Sequence, residues 1–330
     1  MMIDKPIFDY EAWNLNSLQR QLCDEARKIA SEKFSSRAST YDLNATFPTE
    51  NYKDLHKAGL MSICIPKNYG GIGADLKTYM LAAAEIGRYC GATALTFNMH
   101  VSSCLWTGFL TDNLEMNKND RHNHNLMREK HYNRIIENGS IYAQPFSEGN
   151  SSAAGHKAFS TTALVTDGGW IVNGKKIFAS LSGYADYYGV LCTELHKEDS
   201  NLSRSNTMYL AIPSKTNGVR VEGEWDPLGM RGTVSRTLVF EDVFIPFEEQ
   251  LMPRGIYYNA AKQWPHMFMT LTPSYVGIAQ AAYDFTIRYL RGEQPGMSTV
   301  KRRMFPTKQL SVAQMKIILE QTKSLWFQSF

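Results

Sequence analysis

No apolar run in these 330 residues reaches the roughly 20 that cross a bilayer, so a membrane span is not expected. Cysteine is scarce and odd in number. Cys23, Cys64, Cys90, Cys104 and Cys192 stand far apart among apolar neighbours, which fits reduced core thiols better than a disulfide framework or a zinc site. Net charge is nearly absent too: 35 Lys plus Arg face 32 Asp plus Glu, leaving +3, and the basic residues are interleaved with acids. A nucleic-acid-binding stripe is therefore excluded. The first ten residues lack the basic segment and apolar core of a secretion signal, so the expected location is cytoplasmic. One local absence matters later: no Asp or Glu occurs between Glu249 and Asp284.

What is present is an ordinary globular composition, 43% hydrophobic and 20% charged, on a chain long enough for two or three domains. Asn16 is placed to cap a helix in which Leu18, Leu22, Ala26 and Ile29 recur at helical spacing. Phe47-Pro48 opens a second helix, and residues 61–65 read as a short apolar strand. Gly70-Gly71-Ile72-Gly73 reads as a tight turn, not a phosphate cradle, because neither a strand-to-helix context nor a following Lys-Ser/Thr accompanies it. Residues 75–110 are Ala-, Leu- and Met-rich, as in buried helices, with His100 in their midst, and the simplest role for His100 is a core histidine bonded to a carbonyl. His122, His124 and His131 lie among mixed charges without a metal-binding frame, so residues 114–138 are expected to be a solvated linker and helix with no metal site.

From residue 141 the pattern changes to short β-branched and aromatic runs, broken by Asp167-Gly168-Gly169 and Asn173-Gly174 as turn or hairpin signals. Helical periodicity returns in residues 257–291 and 307–330, with one stripe of Val276, Ala279, Tyr283, Ile287 and Leu290 and another of Val312, Met315, Leu319 and Trp326. Helices, then strands, then helices make an α+β chain with segregated parts.

Three motifs carry a resemblance: Phe146-Ser147-Glu148-Gly149, then Asn173-Gly174-Lys175-Lys176-Ile177-Phe178-Ala179-Ser180, then Trp225-Asp226-Pro227-Leu228-Gly229-Met230-Arg231-Gly232-Thr233-Val234-Ser235 leading into Phe240-Glu241-Asp242-Val243. In this order the chain resembles the acyl-CoA dehydrogenase family over roughly residues 15–330. The resemblance implies an N-terminal all-α domain over 1–138, a middle β-barrel domain over 139–250 and a C-terminal helical bundle over 251–330. The chain ends on aromatic residues inside a helical pattern, so the bundle is expected to be incomplete and its uncovered stripe to drive homo-oligomer formation.

The same resemblance implies FAD as cofactor. Phe146, Ser147, Phe178, Ala179 and Ser180 would hold the flavin ring, with Arg302 and Phe305 a weak match to an Arg-x-x-Phe-Gly contact across subunits, Pro306 standing for its Gly. Met99 and Ser152 would meet the substrate, although the loop after Ser147 is shorter than the family pattern. The implied reaction is α,β-desaturation of an acyl-CoA, with an electron-transferring flavoprotein as partner. Its usual carboxylate base falls outside residues 1–330, and the alternative family position falls near Met267 in the acid-free stretch. The catalytic residue is thus unassigned, with His100 and His266 as weak candidates. Two other readings stay open: a reduced-flavin monooxygenase on the same fold, and a non-catalytic flavin-binding or interaction homologue.

Overall fold

The computed structural model describes residues 5–149, 157–198, 202–294, 296, 298 and 303–329. Helix α1 (Ser17–Ile29) begins with a reciprocal cap: the Asn16 side chain accepts from the Gln19 N–H and the Gln19 side chain accepts from the Asn16 N–H. A wider π-type turn at Ala30–Phe34 carries the chain into α2 (Ser35–Leu43), and α3 (Thr49–Lys57) follows Pro48. Residues 61–65 are not a strand. A 3₁₀ turn at Leu60–Ser62 and the bonds from Ile63 N to Leu60 O and Ile65 N to Ser62 O keep the run curled. Five apolar residues suit a buried turn as well as a buried strand, and length alone does not separate the two. The glycine loop beyond is a tight turn: a Cβ on Gly71 would lie 2.1 Å from the Ile65 carbonyl oxygen.

Helices α4 (Leu76–Gly87) and α5 (Gly91–Leu105) are buried along most of their length. In α6 (Lys118–Asn138) the expectation of a solvated segment fails: His124, Arg128, His131 and Ile135 are buried at helical spacing. His124 Nε2 lies 2.9 Å from the Thr107 carbonyl and His131 Nδ1 2.9 Å from the Tyr142 hydroxyl, so both rings have structural partners. Their polar neighbours in sequence occupy the other face of the helix.

The strands are β1 (Tyr142–Ala143), β2 (Thr162–Thr166), β3 (Gly169–Ala179), β4 (Tyr187–Leu195), β5 (Thr207–Pro213), β6 (Val219–Glu222), β7 (Arg236–Pro246) and β8 (Gln250–Met252). They form one sheet in the order β6-β7-β3-β2-β4-β5-β8, with β1 parallel to β4. The expected barrel is corrected to an open sheet, since β6 and β8 end the described order without pairing to each other. The sheet also runs two residues past the boundary placed at 250. Asp167-Gly168 makes the hairpin between β2 and β3. Asn173-Gly174 makes no turn: it is a bulge within β3, where the register against β7 shifts between Val172 and Gly174. Gly174 has φ +153°, and a Cβ there would lie 2.6 Å from Thr161 Oγ1, so no larger residue fits without movement.

Helices α7 (Ile256–Gln263), α8 (Thr272–Arg291) and α9 (Pro306–Gln328) follow. Helix α8 crosses α4 at close range, because a Cβ on Gly277 would sit 2.3 Å from the Ala84 carbonyl oxygen. The stripe on α9 expected to be uncovered is covered in its C-terminal half by the N-terminal segment, while Met315 stays exposed and Val312 is partly buried. Phe8 stacks on Trp326 at 5.4 Å, and Leu319 and Trp326 are buried. Leu310, Ile317, Ile318 and Leu325 are exposed on its other side.

Candidate active site

A cavity of about 530 Å³ opens where α5, the loop before β2, the end of β3, the loop before β7 and the turn before α8 meet. Met99, Phe146, Ser147, Phe178 and Ser180 line it, so five of the residues singled out from the sequence converge. Ala179 lies between two of them with its side chain buried. Phe305 is half exposed at the start of α9 and does not line the cavity. Ser152 and Arg302 lie outside the described residues.

The Ser147 loop is held from below. Ser147 O accepts from Ile177 N at 2.8 Å, which ties the loop to β3. Glu148 Oε1 accepts from Lys176 Nζ at 2.6 Å and from Thr161 N at 3.0 Å, and its Oε2 accepts from Ser160 N at 2.7 Å. Burial pushes the Glu148 carboxyl up, but the Lys176 ammonium and these donors outweigh it and hold it below the usual range, so the carboxylate stays ionised. Phe146 packs edge-on against Tyr209 and Tyr257, at 5.6 and 5.7 Å.

The second loop is stitched by hydroxyls. Ser180 Oγ lies 2.8 Å from Ser235 Oγ, which lies 2.8 Å from Thr233 Oγ1, while Leu181 N donates to Thr233 O. Phe178 adopts φ +50° with 69% of its surface exposed, a posture that costs a bulky residue energy. Its ring presents an apolar face at the mouth, edge-on to Trp225. Asp42 accepts from the Arg231 backbone N–H and guanidinium, anchoring the 229–235 loop to α2.

Sequence reasoning passed over Ser235, Thr233 and Trp225 as site residues. All three lay inside the third motif, and the spacing of two between Thr233 and Ser235 was the available signal. Trp225 Nε1 is sealed from solvent with no acceptor among the described residues. A planar heterocycle with polar edges would use this set: an orphaned indole N–H, a chain of hydroxyls and flat apolar covers. The residues fit a flavin ring.

Among the described residues that line the cavity none is charged, and none is histidine. His100 is fully buried: its Nε2 donates to the Met61 carbonyl at 2.9 Å and its Nδ1 accepts from Tyr142 N at 3.1 Å. Both nitrogens are occupied, and burial lowers its pKa to about 4. The ring thus has no free lone pair for a substrate proton. His266 is also shifted down by burial and stands beside the lining residue Met267 without lining the cavity itself.

A family model for the N-terminal domain of acyl-CoA dehydrogenases matches residues 16–111, and one for their middle domain matches residues 146–243. The short-chain specific acyl-CoA dehydrogenase of Clostridium acetobutylicum is 26% identical over 271 residues, which are 82% of this chain and 65% of that relative. The chain therefore spans just under two thirds of that relative's length. Among solved structures, butyryl-CoA dehydrogenase from Megasphaera elsdenii aligns with TM-score 0.78 at 22% identity, covering 96% of this chain and 79% of the other. FMN-bound TdsC from Paenibacillus sp. A11-2 aligns with TM-score 0.76 at 22% identity, covering 92% of this chain and 74% of the other. With both domain models matched across more than half of the sequence, the chain belongs to the acyl-CoA dehydrogenase family.

Proposed function

We propose that this chain binds FAD with its ring in the cavity between the Ser147 and Ser180 loops, and that the substrate placed against it is an acyl-CoA thioester undergoing α,β-desaturation. The observation that carries the reading is the neutral, hydroxyl-edged cavity with Phe178 and Trp225 at its mouth. Bound flavin supplies a hydride acceptor. The residues of the chain orient and shield: Ser180, Ser235 and Thr233 offer hydroxyls, Met99 and Phe146 give apolar walls, and Glu148 fixes the first loop.

Desaturation also requires a base for the α-proton, worth roughly 10²–10⁴-fold in rate. No described lining residue supplies one. The 330-residue chain is therefore expected to bind flavin yet bleach it slowly with acyl-CoA. The same base-free lining favours a second reading, oxygen-dependent hydroxylation with reduced flavin, in which no carboxylate has to remove a substrate proton. Electron-transferring flavoprotein as acceptor, a homo-oligomeric assembly and a cytoplasmic location belong to the first reading.

Absorbance spectra after refolding with FAD or FMN, followed by anaerobic titration with short, medium, long and branched acyl-CoAs, test these statements. Flavin retention with slow bleaching is expected, and Ser147→Ala with Ser180→Ala should weaken retention by about 1 kcal/mol per lost bond. A protein that retains neither flavin sinks the proposal. Rapid bleaching by any acyl-CoA overturns the expectation of slow turnover, and a hydroxylated product under oxygen with supplied reduced flavin selects the second reading.

A further inference from the structure

A second cavity, of about 280 Å³, lies between the N-terminal segment, the end of α4 and helices α8 and α9, away from the residues that line the flavin-type cavity. Its walls carry six cationic side chains, Lys5, Arg88, Arg288, Arg291, Lys316 and Lys323. Two carboxylates, Asp284 and Glu293, face them. Most of the cations are partnered: Arg88 bonds Asp284 at 2.6 Å, Arg291 lies 3.9 Å from Glu293, and Lys316 and Lys323 share Glu320 at 2.7 and 2.6 Å.

Arg288 and Lys5 are different. Among the described residues no carboxylate lies within ion-pair distance of either side chain. Arg288 Nε is sealed from solvent and has no acceptor among the described residues. A guanidinium cannot escape this by losing its proton, and a buried donor without a partner costs on the order of 1–3 kcal/mol. The position of Arg288 in the last turn of α8 accounts for a positive charge there, since helix C-termini favour cations. It does not account for an Nε left without an acceptor on a residue lining a cavity.

The opposite wall completes the arrangement. Lys323 is buried, with Nζ 3.0 Å from the Ile7 carbonyl, so it is fixed in place. Arg88 Nη1 donates to the Lys5 carbonyl at 2.7 Å, which fixes the N-terminal segment that carries Lys5. Tyr283 lies beside them, its ring 5.4 Å from the Lys316 ammonium. A cavity with excess cations on two walls, an unpartnered guanidinium and one aromatic ring is matched by a compact anion with a small organic group attached. Arg recognises phosphate through paired hydrogen bonds, and fixed lysines add charge.

The geometry points to a binding site for a phosphate monoester in this cavity, with Arg288 as its principal ligand and Lys5 at its rim. Inorganic phosphate and AMP are the probes, each against sodium chloride at matched ionic strength, read by calorimetric titration and by melting temperature. Wild-type protein should bind both saturably, AMP at least as tightly as phosphate. Arg288→Gln should weaken both at least tenfold, Arg288→Lys should recover part of the loss, and Lys5→Gln should weaken them several-fold. Lys5→Gln also serves where Arg288→Gln disturbs folding, which circular dichroism reads directly. The proposal is overturned if phosphate behaves as chloride does, if both variants bind like wild type, or if AMP is excluded while phosphate binds. Because the binding is read in the flavin-free protein and again after flavin loading, its failure is separate from any failure of the flavin reading.

Discussion

The cavity beside Ser147 and Ser180 and the cavity between α8 and α9 differ in what their walls carry. The first is about twice as large and has no charged side chain among the described residues of its lining, while the second gathers six cations. Charge near the first is placed one layer back, where Lys176 and Glu148 pair beneath the Ser147 loop. In the second it stands in the wall itself, where Arg288 keeps a donor without an acceptor among the described residues. A neutral wall over an ionic foundation suits a planar ring whose electronics should not be biased by a fixed charge. A cationic wall suits an anion, and the two designs predict different responses to mutation.

The largest effect should come from that foundation. Lys176→Met leaves the Glu148 carboxylate buried without its cation, a change worth roughly 3–5 kcal/mol. Denaturant unfolding should show that loss, and any protein still folded should fail to retain flavin, since the Ser147 loop hangs on Glu148. If Lys176→Met unfolds at the wild-type midpoint, the pair is not a foundation. The matched double replacement, Lys176→Met with Glu148→Leu, should recover part of the stability but not the loop.

A smaller effect is expected on the other side, on the helix that also carries Arg88. Glu85 is fully buried on α4, with Oε1 accepting from Ile7 N at 2.7 Å and Oε2 without a partner among the described residues. Burial lifts its pKa to about 7, against the opposing pull of the Ile7 N–H, Arg27 and Arg88. The folded state therefore holds a proton that the unfolded state releases at the ordinary carboxyl pKa. Stability from this group is present in full below the unfolded pKa and declines as pH rises towards 7. Glu85→Gln, which keeps the acceptor and removes the ionisation, should stabilise the protein by about 2–3 kcal/mol at pH 8 and change little at pH 4.5. Parallel unfolding curves for the two proteins across that range would remove Glu85 as the source.

The order of helices, strands and helices and five residues of the candidate site were legible in the sequence, and the reasons are local. Asn16 and Gln19 cap α1 within four residues of each other, and Asp167-Gly168 closes a hairpin with its own backbone preferences. Phe146, Ser147, Phe178 and Ser180 were reached through motifs whose order survives in the chain. What failed to show depended on distant partners. Asn173-Gly174 carries a hairpin signal, but Asn173 bonds Asp242 across the sheet and the pair becomes a bulge. The C-terminal end of the α9 stripe looked bare because its cover, Phe8 on Trp326, lies more than 300 positions away. His100 does bond a carbonyl, that of Met61, as its simplest reading had it, but its weaker candidacy as a base falls to Tyr142, whose N–H takes the other nitrogen from far along the chain. No periodicity reports that both of its nitrogens are taken.

The last prediction isolates the neutral wall with the least disturbance to the fold. Phe178 is largely exposed and holds φ +50°, a conformation glycine adopts without penalty. In Phe178→Gly the relief of that strain offsets the extra chain entropy glycine loses on folding, so stability should stay within about 0.5 kcal/mol of wild type. Flavin retention should nevertheless fall several-fold, because the ring loses its apolar cover, and Phe178→Trp should restore it by putting a larger flat face at the same mouth. Phosphate binding at Arg288 should be untouched in both variants. If Phe178→Gly retains flavin as wild type does, the exposed phenyl ring is ordinary surface, and the neutral cavity holds its ligand by the hydroxyl chain alone.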